Sequence, residues 1–228
     1  MKTVAASVAI VEDHALLAES LLLALSLEGF NVTVVPLSQS TTSATDLLHS
    51  ILTLRPRVVL LDLDLAATGD GAPLIEPLTR AGCSVVVVTA SGDLARWGEC
   101  LSRGARTVLA KSTPLREITD TIRRVTEGLP VLSDTRRAEL VQDWQRRRAE
   151  VSTRRARLAR LTPREEEVLL GLMRGKRVHD IAEEGHVSEG TVRTQVKAVL
   201  AKLGVTSQIA AVAVTRDAGW ELDTRRAI

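Results

Sequence analysis

Five short aliphatic runs, separated by segments of helical periodicity, constrain this chain more than any other feature. The third is the sharpest: Val58-Val59-Leu60-Leu61 follows Pro56 and runs straight into Asp62. Four aliphatic residues without polar alternation predict a strand buried on both faces, as in a parallel sheet covered by helices. Val8 to Val11, Val32 to Val35, Val85 to Val88 and Thr107 to Ala110 supply the other four runs. Between them, Leu16, Leu17, Leu21, Leu25 and Leu27 recur at helical spacing before Gly29. Asp46 to Leu54 predicts a helix that ends before Pro56, because the residue preceding a proline avoids the helical region. After a Gly-containing loop from Ala66 to Gly71, Pro73 opens a short helix. Asp93 to Arg103 forms another, closed by Gly104, and Thr113-Pro114 caps and starts a last one reaching Gly128. Strands and helices in this alternation imply an α/β, doubly wound, five-stranded parallel sheet with right-handed crossovers.

In such sheets the reactive crevice lies outside the carboxyl ends of the strands. The sequence delivers Glu12 and Asp13 there after strand one, Asp62 after strand three, Thr89 after strand four and Lys111 after strand five. Three carboxylates at one edge repel one another unless a hard divalent cation sits among them, and magnesium prefers one or two carboxylates with waters and phosphate oxygens. Asp62 is then placed to attack a phosphoryl group, giving an acyl phosphate, while Lys111 and the Thr89 hydroxyl hold phosphate oxygens as their charge changes. Any one of these acids alone would read as a strand-end cap or a solvated charge. Convergence of all five residues on one edge argues for a pocket.

The set resembles the receiver domain of bacterial two-component response regulators, with IVED, LLDLDL, VVTAS and LAKS in order over roughly residues 5 to 128. The resemblance implies a flavodoxin-like fold, phosphorylation of Asp62 by a sensor histidine kinase, magnesium held by Glu12, Asp13, Asp62 and the Asp64 backbone carbonyl, and Thr89 and Lys111 reading the phosphoryl group. Two departures stand out. Leu65-Ala66 replaces the family's Met-Pro, with one extra residue before Asp70-Gly71, and Val108 replaces the aromatic switch residue. Two other readings compete. One keeps the domain but makes it a phosphorylation-independent dimerisation or ligand-sensing module. The other takes Asp62-Leu63-Asp64 as the pair of a haloacid dehalogenase-like phosphatase, which wants Thr or Val where Ala66 stands and a pair ending the domain's first strand.

Charge divides along the chain. Residues 1–133 hold 11 basic and 14 acidic residues, residues 134–160 hold 9 and 4, and residues 161–228 hold 10 and 10. A basic connector beside a balanced C-terminal region hints at a polyanion partner, although an Arg-rich helix is also commonly a solvated face. Residues 134–160 contain no Gly or Pro and predict a helix, with Trp144, Val151 and Leu158 every seven residues and Leu140 and Leu161 adjoining. Arg147 and Arg154 interrupt that seam, so it predicts a linker helix docking on an apolar partner rather than a coiled coil. The nearest partners are the receiver's last helix, through Ile118, Ile122 and Val125, or the same linker in a second subunit.

From Leu161 the strands stop. Thr162, Ser188 and Ser207 each precede a helical segment, Val178 to Glu184 forms another, and Gly185-His186-Val187 makes the short turn of a helix-turn-helix. In the helix after Ser188, Val192, Val196, Val199, Leu200 and Leu203 form an apolar stripe and Arg193, Thr194 and Lys197 lie off it. A capped helix with a polar N-terminal half suits a DNA major groove. The segment from LTPREEEVLLGLMRG to AVAVTRDAG resembles the LuxR-type domain of the NarL/FixJ response regulators. That implies base contacts from Arg193, Thr194 and Lys197 and phosphate contacts near Thr191, Gln195 and Lys202. Gln195 replaces a common His, and Val178-His179 a common Asn-Lys. With fewer phosphate contacts, the Arg-rich linker could compensate.

The expected organisation is a receiver at 1–130, a basic linker helix at 131–160, a four-helix DNA-binding domain at 161–222 and a tail at 223–228. The expected function is a DNA-binding transcription regulator, not an enzyme, acting as a homodimer on double-stranded promoter DNA, with RNA polymerase a further partner. No apolar run approaches a membrane span, and the start lacks a signal peptide's basic flank, so a bacterial cytoplasmic protein is expected. Cys83 and Cys100 show no metal-ligand spacing, and with no Tyr and one Phe there is no stacking platform for single strands.

Overall fold

The structure is a computed structural model and describes residues 6–37, 43–65 and 69–220. Ala66 and the tail at 223–228 lie outside them. The chain divides into two compact units, residues 1–145 and 146–228.

The first unit begins with β1 (Ser7–Val11), α1 (Ala15–Leu27), β2 (Asn31–Val34), α2 (Ala44–Thr53) and β3 (Val58–Leu61). A two-stranded hairpin follows, β4 (Asp64–Leu65) with β5 (Gly69–Asp70), and then α3 (Ala72–Arg80). The unit continues with β6 (Ser84–Thr89), α4 (Leu94–Ser102), β7 (Thr107–Ala110) and α5 (Leu115–Thr126). The five long strands are all parallel, in the order β2-β1-β3-β6-β7. The hairpin was expected to be only a loop. Pairing of Asp64 with Asp70 gives it antiparallel ladder bonds that no hydrophobic alternation announces. The last helix also differs at its start: Pro114 is the N-cap and no side chain caps it, so Thr113 does not play the expected part.

β3 lies at the centre, and its four aliphatic side chains are at most 2% exposed. They still alternate. Val59 and Leu61 join a core with Leu47 and Ile51 of α2, Leu74, Ile75 and Leu78 of α3, and Cys100 and Leu101 of α4. Val58 and Leu60 join Leu21 and Leu25 of α1 and Ile118, Ile122 and Val125 of α5 on the opposite face. Each such side chain stabilises the fold by roughly 1.5–3 kcal/mol relative to exposure, which is why a strand this apolar is stable only at the middle of a covered sheet.

The second unit contains α7 (Pro163–Met173), α8 (Val178–Glu184), α9 (Glu189–Leu203) and α10 (Gln208–Asp217), following α6 (Asp134–Leu158), whose first residues belong to the first unit. The linker seam is shared between two cores. Leu140 packs with Cys100, Leu101 and Ala105 of the first unit, and Leu158 and Leu161 pack with Leu169, Val199 and Leu203 of the second. The expected partners Ile118, Ile122 and Val125 instead face α1, so within the first unit the linker docks on α4 and not on α5.

In the second unit Thr162 and Glu165 form a reciprocal capping box at the start of α7. Buried Glu165 also accepts a hydrogen bond from Lys202 of α9 at 2.5 Å. Burial would raise the Glu165 pKa, but the bonds from Lys202 and Thr162 outweigh it and hold the carboxyl below its ordinary value of 4.5. A depressed carboxylate pKa contributes stability that is complete above 4.5 and is lost as pH falls through the lower folded value. Glu165→Gln should therefore lower the urea midpoint of this unit at neutral pH, with the gap to wild type closing as the pH is taken below 4.5, read by circular dichroism. A gap that stays constant with pH would contradict this.

Candidate phosphoryl pocket and DNA-contacting helix

Parallel register decides which side chains meet. Val11 pairs with Leu61, Leu61 with Val87 and Thr89 with Ala110, so Glu12, Asp62, Thr89 and Lys111 arrive at one edge. The Asp62 N–H donates to the Val11 carbonyl at 2.9 Å and the Lys111 N–H to the Thr89 carbonyl at 2.8 Å, which locks the strand ends in place. Glu12, Asp62 and Thr89 are buried at 6%, 2% and 0% exposure.

The Lys111 ammonium bridges the two buried acids, donating to Asp62 Oδ2 at 2.7 Å and to Glu12 Oε1 at 2.8 Å. Burial alone would lower the pKa of that ammonium, but its bonds to Asp62 and Glu12 outweigh burial and raise it, so it stays charged. Asp62 is pushed up by burial, and its bond from Lys111 offsets that only in part because the Glu12 charge adds to it. Asp62 Oδ1 is buried and has no hydrogen-bond partner. A polar atom in that state is a strong acceptor awaiting a cation, a donor or an electrophile.

Sequence reasoning missed two neighbours. His14 accompanies the acids, with Nδ1 2.8 Å from Glu12 Oε1, 2.7 Å from Asp13 Oδ1 and 3.1 Å from Lys111 Nζ. Each of Glu12, Asp13, His14 and Asp62 offers an atom, all within 4.8 Å of one another. The hydrogen bond to Glu12 raises the His14 pKa. The signal available was simple adjacency in Glu12-Asp13-His14. Arg96 of α4 reaches Asp70 Oδ1 at 2.9 Å and Asp64 Oδ1 at 3.7 Å. No local pattern could pair it with residues 26 and 32 positions away. The exposed Asp64 side chain thus points to Arg96, while Asp64 lines a depression with Asp13, His14, Leu65 and Gly69. Gly71 lets its backbone approach the chain just after β3: a Cβ there would fall 3.3 Å from Leu63 Cα and nearer still to the Asp62 carbonyl.

In the second unit, α9 buries Val192, Val196, Val199 and Leu203 and half-buries Leu200, as the stripe predicts. Thr191, Arg193, Thr194 and Lys197 are exposed. Arg193 pairs with Glu189 at 2.8 Å, Thr194 Oγ1 donates to the Gly190 carbonyl at 3.0 Å, and the Thr191 hydroxyl lies 2.9 Å from that of Ser188. Gln195 is half-buried, with Oε1 buried and unpartnered. Lys202, expected near phosphates, is engaged by Glu165. Two linker arginines are engaged as well: Arg155 donates to the Ala218 carbonyl and Arg157 to the Leu203 carbonyl, ends of α10 and α9. The turn before α9 uses His186, at φ 51°, as its left-handed residue, while Gly185 makes room for the Arg164 guanidinium.

Among the described residues no single helix is long and apolar enough to cross a membrane. Residues 8–123 match the response regulator receiver domain, and residues 159–215 match the bacterial regulatory proteins of the luxR family. The probable transcriptional regulatory protein NarL of Mycobacterium tuberculosis is 30% identical over 208 residues, covering 90% of this chain and 91% of its own. The transcriptional regulatory protein DesR of Bacillus subtilis is 28% identical over 166 residues, 73% of this chain and 76% of its own. A solved structure of RcsB from Salmonella enterica serovar Typhimurium, bound to promoter DNA, aligns over 93% of this chain and 98% of its own at 23% identity and a TM-score of 0.48. With its receiver domain followed by a LuxR-type DNA-binding domain, the chain belongs to the response regulators, a family of transcription regulators.

Proposed function

We propose that phosphorylation of Asp62 switches this regulator and that α9 carries its contacts to operator DNA. The observation that carries the reading is the state of Asp62: one carboxylate oxygen is held by Lys111 and the other is buried with no hydrogen-bond partner. The donors fit magnesium, since Glu12, Asp13 and Asp62 offer hard carboxylate oxygens and the Asp62 Oδ1 atom has no hydrogen-bond partner. Glu12, Asp13, Asp62 and the Asp64 carbonyl would hold the ion. When bound, it supplies positive charge against the acids and the incoming phosphoryl oxygens.

This chain's own residues do the rest. An Asp62 oxygen forms a new O–P bond as the N–P bond of a phosphohistidine breaks and its electron pair returns to the imidazole, making a sensor histidine kinase the fitting donor. Lys111 moves part of its charge from Asp62 to a phosphoryl oxygen, and the Thr89 hydroxyl donates to another. Arg193 and Lys197 reach base edges, Thr194 offers a methyl group and hydroxyl, and Thr191 lies near the backbone phosphates. Gln195 and Lys202 are the weaker members of the expected set, being half-buried and tied to Glu165 respectively. Helix-turn-helix regulators read paired half-sites as dimers, so a homodimer at a promoter, near RNA polymerase in a bacterial cytoplasm, completes the reading.

With acetyl phosphate and magnesium, intact mass should show one phosphoryl group added to the wild-type chain and none to Asp62→Asn. Equal uptake by both would remove Asp62 from this role. On the preferred duplex, Arg193→Ala and Lys197→Ala should each cost about 1–3 kcal/mol of binding free energy, with affinity falling steeply as salt rises. Unchanged affinity in both variants would return α9 to a structural role.

A further inference from the structure

We infer that His14 is a metal ligand of the phosphoryl pocket, and that with it the pocket selects a first-row transition-metal dication over magnesium; this rests on the reading above that Glu12, Asp13 and Asp62 hold a divalent ion. The three carboxylates by themselves suit a hard cation. An imidazole nitrogen is a softer donor that suits zinc, iron, copper or nickel far better than magnesium, so one histidine among the acids changes which ion the site prefers.

The placement of His14 carries the inference. His14 is the N-cap of α1, a position where Ser, Thr, Asp or Asn usually turns a side-chain oxygen onto the first free amides of a helix. Its side chain makes no such bond. The ring turns back to the acids instead, with Nδ1 2.8 Å from Glu12 Oε1 and 2.7 Å from Asp13 Oδ1. Its backbone N–H donates to Glu12 Oε1 at 2.9 Å, which ties the turn between ring and acid. Nδ1 carries at most one hydrogen, so one hydrogen bond accounts for one of the two carboxylate contacts. A cation shared among the donors accounts for both.

The spacing suits such a cation. Donors bound at about 2.1 Å to one ion lie about 3.0 Å apart at right angles and about 4.2 Å apart on opposite sides. Glu12, Asp13, His14 and Asp62 each offer an atom, and all four atoms lie within 4.8 Å of one another. Positive charge already collects there: Lys111 Nζ is 2.8 Å from Glu12 Oε1, 2.7 Å from Asp62 Oδ2 and 3.1 Å from His14 Nδ1. Asp62, the most buried of the four, is 2% exposed and keeps Oδ1 without a hydrogen-bond partner, so the inner side of the set still offers an unused acceptor. The outer side is open. The His14 side chain is 66% exposed and borders the depression lined by Asp13, Asp64, Leu65 and Gly69, which gives an ion a way in.

The test uses the full chain, freed of metal with a chelator and loaded with less than one manganese(II) per chain. Electron spin-echo modulation of the wild type should show a directly coordinated nitrogen, and His14→Gln, which removes the imidazole but keeps a polar side chain, should lose it. In calorimetric titrations the same substitution should weaken cobalt(II) binding by at least about tenfold, the loss that removing even an outer-shell partner brings, and magnesium binding by clearly less. Circular dichroism checks that the variant is folded, as the exposure of His14 leads us to expect. Manganese bound to wild type without nitrogen coupling overturns the assignment. So does coupling that survives His14→Gln, or an equal loss for cobalt and magnesium. Intact mass after acetyl phosphate is read separately. Nitrogen-ligated manganese without uptake on Asp62 rejects the phosphorylation reading and leaves the metal site standing, whereas uptake without nitrogen coupling leaves phosphorylation standing and removes His14 from the site.

Discussion

A single ammonium group between two buried carboxylates is the interaction on which the first unit depends. Lys111 reaches Glu12 and Asp62 only because β1, β3 and β7 end at one level, and they do so because the strands are parallel and in register. Remove the cation, and two like charges remain on buried carboxylates; leaving a buried charge unpaired typically costs about 3–5 kcal/mol. The same arrangement leaves Asp62 Oδ1 without a hydrogen-bond partner, so one acceptor of the reacting carboxylate is still unused. Stability and readiness to react come from one geometry.

The second unit solves its electrostatics differently. Several of its cations close its own helices: Lys202 on Glu165, Arg157 and Arg155 on helix-end carbonyls, Arg164 on the Gly185 carbonyl. The basic surplus of residues 134–160 is therefore not all available to a polyanion, and the idea that the linker makes up for missing phosphate contacts loses Arg137, Arg155 and Arg157, which hold backbone carbonyls. What α9 leaves exposed is narrower and better defined, with Arg193 and Lys197 exposed to one side of its stripe of buried valines. Arg193 is lightly held by Glu189, one helical turn back, an exposed pair of the kind worth a few tenths of a kcal/mol. Such a pair keeps the guanidinium extended and gives it up cheaply.

Much of this was legible in the sequence. Aliphatic runs without polar alternation identified the covered sheet, and residues following those runs identified Glu12, Asp62, Thr89 and Lys111, because strand ends are defined by where hydrophobicity stops. Serine and threonine before apolar periodicity marked α7, α9 and α10, each now seen with its side-chain cap. The hairpin of β4 and β5 was not legible, since two-residue strands carry no period. Nor was the docking of α6 on α4. The seam through Leu140, Trp144 and Leu158 announced that the helix wanted apolar partners, but periodicity gives a face and not the identity of what meets it. Ile118, Ile122 and Val125 were plausible because they too form a face; that face is satisfied by α1.

The glycines show where further information lay. Read locally, a glycine after an apolar period means a helix end, and Gly204, with φ 71° at the end of α9, fits that meaning. Gly71, Gly98, Gly171 and Gly185 are of another kind. None has a φ in the left-handed region, and a Cβ on each would strike a neighbour: Leu63 and the Asp62 carbonyl, α6, Ile181 and Arg164 respectively. In each case the neighbour lies elsewhere in the chain, so the reason for the glycine is a distant atom that local patterns cannot name. Gly98 and Gly171 could have been recognised as anomalies, because each interrupts a helix that has no conformational need of it. A mid-helix glycine with no left-handed turn to make implies that another element passes within reach of its missing side chain. Applied to α4, that inference turns an unfavourable residue into a statement about packing, and it identifies α4 as the helix on which the linker docks.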